Sequence, residues 1–170
     1  MLLNKKSNIV AVGGIATGLA FLLLFFTGMF QFSKLAFCFL ASVICGVLNV
    51  AYGYKTAIIH YIAVTVLSLL FVANKAVAIL YVVIFGNYPV IRFFADGIKN
   101  FALKNIIKFV VFNIYIIVLY LIATYIISVE ISQIFKYSIW VLWIGMLGLL
   151  YLYDYICMPF VRRVYGLLNK

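Results

Sequence analysis

Residues 9–30 read IVAVGGIATGLAFLLLFFTGMF, an unbroken apolar run of 22 residues that contains no charged side chain. A helix needs about 20 such residues to cross the hydrocarbon core of a bilayer. Lys5 and Lys6 precede the run, as in a signal peptide, but the run is long for one and no small-residue cleavage site follows it. We therefore interpret residues 9–30 as a first, uncleaved membrane span.

Five further apolar runs follow, separated by short polar connections. Hydrophobic residues make up 69% of the chain and charged residues only 9%. A soluble protein of this length could not bury so much apolar surface, so lipid must cover most of it. The sequence predicts an all-α, polytopic membrane bundle of six transmembrane helices that forms one membrane domain over residues 1–170. The later spans are predicted at residues 35–52, 56–73, 76–94, 109–128 and 137–157.

Between the fourth and fifth spans, residues 91–108 combine regularly spaced charges with an opposite apolar face. This periodicity predicts an amphipathic helix that lies in the membrane interface with its basic side to water. The charged positions are Arg92, Asp96, Lys99, Lys104 and Lys108, and the apolar ones are Ile91, Phe94, Ile98, Phe101 and Ile106.

The 13 basic residues are unequally distributed over the connections. With six spans, ten of them lie on the side of both termini, and only Lys34, Lys75 and Lys136 lie on the other. Cytoplasmic loops carry the excess of Lys and Arg, so we expect both termini in the cytoplasm. The abundance of Ile, Phe, Tyr, Lys and Asn is typical of AT-rich bacterial genomes, which indicates a bacterial inner membrane. Because the basic residues flank spans singly or in pairs, they do not indicate nucleic-acid binding.

In this orientation, most spans place a polar residue in the cytoplasmic half of the bundle. These residues predict either a polar pocket that opens inward or only helix–helix hydrogen bonds, with Asp154 paired to Lys55 or Arg162. A second set, in the outer connections, could ring an externally open site or form a solvated loop surface. The inner residues are Asn49, His60, Asn87, Asn113 and Asp154, and the outer ones are Gln31, Ser33, Lys34, Asn74, Lys75, Glu130, Gln133 and Lys136.

The fourth apolar run is interrupted by the sequence GNYP at residues 86–89. Proline lacks a backbone donor and clashes with the preceding helical turn, so Gly86 and Pro89 predict a bend or break. We expect Asn113 or a water molecule to satisfy the backbone groups that the break frees near Asn87.

Small residues recur at four-residue spacing in the first span, at Gly14 and Gly18 and again at Ala16 and Ala20. This spacing allows a second helix, from the same chain or from another subunit, to approach closely. The four residues are predicted to form a partner-docking face.

The sequence contains too few ligands to predict a metal site, because it has one histidine, three carboxylates and three cysteines without metal-binding spacing. We expect no cofactor. Intramembrane catalysis requires paired acids, Ser–Lys pairs or histidine ligands within reach of one another, whereas the polar groups here are isolated, so we do not expect an enzyme.

The chain resembles the substrate-binding (S) components of energy-coupling-factor vitamin transporters. The resemblance covers the whole length: six spans in 170 residues, cytoplasmic termini, and the small residues Gly14, Ala16, Gly18 and Ala20 in the first span. The stretch from Asn74-Lys75 to the Gly86–Pro89 sequence is similar to one in S-component-like bacterial membrane proteins.

The resemblance implies that the first span docks on a membrane coupling subunit, which is linked to a pair of ATPases, and that the protein binds a small, vitamin-like molecule or a metal near its outer side. The residues themselves leave a second function open, that of a non-transport scaffold or assembly protein of the cell envelope or cell-shape machinery. The basic inner surface and the isolated polar groups favour this alternative.

Overall fold

The computed structural model describes residues 2–28, 33–98, 100–125 and 139–168. All regular secondary structure in these ranges is helical, and six helical segments are long and apolar enough to cross a membrane. The structure thus confirms the predicted all-α, six-span architecture, and the protein is a multi-pass integral membrane protein in contact with lipid. The six segments are Ile9–Phe26, Lys34–Tyr52, Tyr54–Phe71, Lys75–Asp96, Ala102–Ile122 and Trp143–Leu167.

The fourth span is made of three helical pieces, whereas each of the other spans is a single helix. A short α-helix passes directly into one π-helical turn, Tyr81–Phe85, and a second α-helix follows after Gly86 and Asn87. The α-helices are α1 (Leu2–Phe26), α2 (Lys34–Tyr52), α3 (Tyr54–Phe71), α4 (Lys75–Leu80), α5 (Tyr88–Asp96), α6 (Phe101–Tyr125) and α7 (Ile139–Leu168).

The chain forms two compact units. The first unit comprises residues Met1–Phe94 and Cys157–Lys170, and the second comprises Ala95–Ile156. The prediction of one membrane domain over residues 1–170 stays a prediction.

In the first unit, α1, α2 and α3 pack on one another. Gly53 alone connects α2 to α3, and its positive φ of 87° is a conformation that glycine adopts without steric cost. Small and branched side chains fill the space between the helices, while Val10, Ile59 and Leu70 are among the large apolar residues exposed to lipid. The buried core consists of Ala20, Leu24, Cys38, Ala41, Val64, Val72, Val77, Ala78 and Tyr81.

In the second unit, α6 packs antiparallel to the part of α7 before residue 157. The rings of Phe112 and Tyr151 meet edge to face with centroids 5.1 Å apart. Further along, the indole nitrogen of Trp143 donates to Oδ1 of Asn113 at 3.1 Å. This bond gives Trp143 a partner inside the protein.

The structure corrects the prediction of a separate interfacial helix over residues 91–108. Residues 91–96 complete α5, and a new helix, α6, begins at Phe101. Asn100 caps the start of α6. Its side-chain oxygen accepts a hydrogen bond from the backbone nitrogen of Ala102 at 3.1 Å. The periodicity of the sequence runs across this break and therefore suggested one continuous helix.

Two of the basic residues assigned to the water-facing side of that helix instead pair with acids. Lys104 forms an ion pair with Asp96 in the second unit. Lys108 lies two turns into α6, is only 8% exposed and pairs with Asp154. Spacing alone could not distinguish these paired lysines from solvated ones.

The sixth helix extends beyond its predicted end at residue 157. It continues through Pro159 to Leu168. This continuation belongs to the first unit and packs against α2, since Val161 is 2% exposed and lies directly over Gly46. Packing here outweighs the hydrogen bond that proline removes from the helix.

Some predictions fall outside the described residues. These are the span ends at residues 29–30, 126–128 and 137–138, and the side chains Gln31, Lys99, Glu130, Gln133, Lys136 and Lys170.

Candidate functional site: the interrupted fourth span

The fourth span departs from α-helical geometry between residues 81 and 89, and we call this stretch the span-four interruption. The backbone nitrogen of Gly86 donates to the carbonyl of Tyr81 at 2.7 Å, which is the five-residue bond of a π-helical turn. After the turn at Gly86 and Asn87, the carbonyl of Asn87 accepts from Val90 and Ile91 at 3.1 and 3.2 Å. Pro89 thus lies in the first turn of α5, where a missing backbone donor costs nothing.

Side chains of α2 and α3 bind the carbonyl groups of the interruption. Nδ2 of Asn49 donates to the carbonyl of Pro89 at 3.0 Å, and the hydroxyl of Tyr61 donates to that of Val82 at 2.9 Å. The thiol of Cys45 lies 3.6 Å from the carbonyl oxygen of Gly86. In a membrane, a broken helix is tolerated where neighbouring groups satisfy its backbone, as these three side chains do.

Gly86 is at the tightest point of the interruption. A Cβ atom at this position would lie 2.7 Å from the ring of Tyr61 and 2.9 Å from that of Tyr81. The two aromatic rings therefore approach the backbone more closely than any side chain at residue 86 would allow.

Two buried polar atoms at the interruption, Oδ1 of Asn49 and the hydroxyl of Tyr81, have no hydrogen-bond partner among the described residues, and neither has the buried Nε2 of His60 on α3. The three side chains are at most 3% exposed. Leaving such an atom unsatisfied costs about 1–3 kcal/mol, so an unpaired atom is a candidate contact for a ligand or a water molecule.

His60 of α3 contacts α1. The hydroxyl of Thr17 donates to the carbonyl of Gly13 at 2.8 Å, and the same oxygen lies 3.0 Å from Nδ1 of His60. Because the hydroxyl proton is already used, Nδ1 of His60 is the donor in the second bond. This assignment leaves Nε2 as a buried acceptor that faces away from Thr17.

The five residues of the predicted polar pocket belong to the two units. Asn49, His60 and Asn87 lie in the first unit, and of these the structure places Asn49 directly on the interruption. Asn113 and Asp154 lie in the second unit. A single pocket that contains all five stays a prediction.

Asn113 and Asp154 have partners in the second unit that the sequence analysis did not name. Asn113 or a water molecule was expected to satisfy the backbone groups near Asn87. In the structure, Nδ2 of Asn113 donates to the carbonyl of Phe109 at 2.8 Å and its Oδ1 accepts from Trp143. Asp154 was expected to pair with Lys55 or Arg162, and the structure gives Lys108, with Nζ 2.7 Å from Oδ2. Asp154 also lies near the middle of the segment Trp143–Leu167.

The predicted docking face divides into two sides of α1. Ala16 and Ala20 are 9% and 0% exposed, and they pack inside the first unit. Gly14 and Gly18 are exposed, and a Cβ atom added at either residue would have no other atom within 4 Å. Residues four apart share one face of a helix, whereas residues two apart point in different directions. The two glycines and the two alanines are offset by two residues, so they lie on different faces. Only Gly14 and Gly18, here called the glycine face, are accessible to another helix.

The sequence analysis missed Cys45, Tyr61 and Tyr81 at the interruption. All three sit within apolar runs and were counted as apolar residues. The one available signal was that a buried tyrosine hydroxyl requires a partner. That signal does not say which backbone group the hydroxyl will meet.

Comparison of the chain with protein families, with curated proteins and with solved structures finds no match.

Proposed function

We propose that this protein is the substrate-binding, S-component-like subunit of an energy-coupling-factor-type importer in a bacterial inner membrane. The observation that carries the proposal is the span-four interruption with the unpaired buried atoms of Asn49 and Tyr81. Discontinuous helices in secondary transporters place backbone and side-chain polar groups at the substrate site. The same arrangement suits a small, partly polar, vitamin-like molecule that bonds to Asn49 and Tyr81.

The glycine face provides the docking surface in this proposal. Lipid tails are as apolar as the helix, so association in a membrane depends on close packing rather than on the hydrophobic effect. Gly14 and Gly18 let a helix of a coupling subunit approach α1 without displacing any side chain of this protein. The coupling subunit would in turn carry the pair of ATPases.

Association is tested by purifying the tagged full-length protein from its native membranes and identifying the proteins that accompany it in stoichiometric amounts. The proposal expects a multi-span membrane subunit together with two ATPases. Gly18→Leu should abolish their recovery, whereas Gly148→Leu, at an exposed glycine of α7 that also has nothing within 4 Å, should not. Recovery without any ATPase, or equal recovery by both variants, contradicts the proposal.

Topology is tested with reporters fused to each terminus. The distribution of basic residues supports cytoplasmic termini, so a C-terminal green fluorescent protein should fluoresce and a C-terminal alkaline phosphatase should be inactive. An active phosphatase at either terminus would reverse the proposed orientation.

The second candidate is the membrane scaffold or assembly protein. The observation in its favour is that the glycine face is a lateral surface, which would serve equally well to hold another membrane protein that does not transport. In that case Gly18→Leu would release envelope or cell-shape proteins rather than ATPases, and uptake of small molecules would be unchanged.

A further inference from the structure

An apolar groove of about 430 Å³ runs along the surface of the first unit between α1, α2 and the last turns of α7. Its volume lies within the range of roughly 300–1,000 Å³ that is typical of ligand pockets. The groove is open to the side, because Ile15 and Leu19 on its α1 wall are 67% and 53% exposed. Its walls are aliphatic and include Ile15, Leu19, Val43, Val47, Ala51 and Val164.

Gly46 makes the third wall of this groove possible. A Cβ atom at residue 46 would lie only 2.8 Å from Cγ2 of Val161. The glycine therefore lets the end of α7 lie directly against α2, which brings Val164 and Tyr165 to the groove. The groove is a product of specific packing within the first unit.

Two aromatic residues line the groove, and basic residues lie near them in the sequence. Tyr52 and Tyr165 line it, and tyrosine is typical of the boundary between membrane and water. Arg162 and Arg163 immediately precede the lining residues of α7, Lys55 follows Tyr52 by three positions, and all three side chains are exposed.

These basic residues have no acidic partner within their own unit. Residues 1–94 and 157–170 contain no Asp or Glu at all. Of the acids in the second unit, Asp96 and Asp154 are already paired with lysines. The charge of these three basic residues is therefore complementary to an anion from outside the protein.

We propose that this groove binds one anionic phospholipid, with an acyl chain along α1 and α2 and the headgroup phosphate at Arg162 and Arg163. Aliphatic walls accommodate a hydrocarbon chain, and the arginine pair near them in the sequence attracts a negative charge. A phospholipid supplies both in one molecule, whereas free phosphate lacks the chain and an apolar helix of another protein lacks the charge. Arginine is suited to the phosphate because its planar fork binds two oxygens at once.

The test measures lipid bound to the full-length protein in detergent by native mass spectrometry, with phosphatidylglycerol and phosphatidylcholine of identical acyl chains as probes. A basic residue near a membrane surface changes binding of an anionic lipid by about fivefold, so R162Q/R163Q should weaken phosphatidylglycerol binding roughly 30-fold. It should weaken phosphatidylcholine binding by a smaller factor, because the choline cation offsets the charge of the same phosphate. K34Q, which removes a charge at the other end of α2, is the matched control and should bind as the parent does.

Filling the groove tests the site of the acyl chain. Ala51→Phe and, at a second position, Val47→Phe should each reduce binding of both lipids by a similar factor, because neither changes the charge. Circular dichroism and gel filtration identify the variants that remain folded. Phosphatidylglycerol bound equally by the parent and R162Q/R163Q overturns the proposal. If a folded Ala51→Phe or Val47→Phe variant binds lipid as the parent does, the proposal is also overturned. Displacement of the lipid by equimolar inorganic phosphate overturns it as well.

Discussion

The two units of the protein stabilise buried polar groups in different ways. In the first unit, the neutral side chains of Asn49 and Tyr61 donate to carbonyls at the span-four interruption. In the second unit, two full charges, Lys108 and Asp154, are buried together and satisfy each other. A neutral bond can be lost at modest cost, whereas a buried charge without its partner is strongly unfavourable. The first unit should thus be most sensitive to shape and the second to charge.

The largest effect is expected from Asp154→Leu, which leaves Lys108 charged and unpaired in the second unit. Removing one partner of a buried ion pair costs about 3–5 kcal/mol. We expect a loss of that order in the free energy of unfolding, measured by titrating the detergent-solubilised protein with sodium dodecyl sulfate.

The double variant Lys108→Met with Asp154→Leu is the control, because apolar residues of similar size often replace a buried pair at little cost. It should recover most of the stability that the single variant loses. If the double variant is as unstable as Asp154→Leu, the pair contributes through packing rather than charge, and the contrast between the units disappears.

A smaller loss is expected from Gly86→Ala in the first unit. The added methyl group would lie 2.7 Å from the ring of Tyr61, and overpacking of this kind costs about 1–3 kcal/mol. The same titration measures it. Gly148→Ala, in open space on α7, is the matched control and should not destabilise the protein. Equal stability of the two variants would show that the Tyr61 and Tyr81 rings can move aside, so that shape does not limit the first unit.

Loss of a single hydrogen bond between neutral groups should lower the free energy of unfolding by a still smaller amount. That amount should be the same in both units. Asn49→Leu removes the bond to Pro89 in the first unit, and Asn113→Leu removes the bond to Trp143 in the second. Side-chain hydrogen bonds in membrane proteins contribute about 1 kcal/mol or less, so both variants should lose about that much. A loss of several kcal/mol for Asn49→Leu alone would mean that the interruption depends on this residue.

The sequence predicted the spans well because span length and hydropathy are local properties. Residues 91–108 show what local properties cannot predict. Their periodicity is visible in the sequence, but whether Lys108 faces water or pairs with Asp154 depends on a residue 46 positions away. The same limit applies to the candidate site. Gly86 and Pro89 mark an interruption locally, whereas the contributions of Cys45 and Tyr61 depend on how α2 and α3 pack against it.

The smallest effect is expected on the glycine face, which belongs to neither kind of buried site. Gly14→Ala and Gly18→Ala add a methyl group where no atom lies within 4 Å. Alanine is also the better helix former, by about 1 kcal/mol at most, so the free energy of unfolding should stay constant or rise slightly. Ala20→Leu, two residues from Gly18 but fully buried, should instead be destabilising because the core has no room for it. If Gly18→Ala destabilised the isolated protein as Ala20→Leu does, α1 would be covered on both sides by its own chain, and the glycine face could not dock a partner.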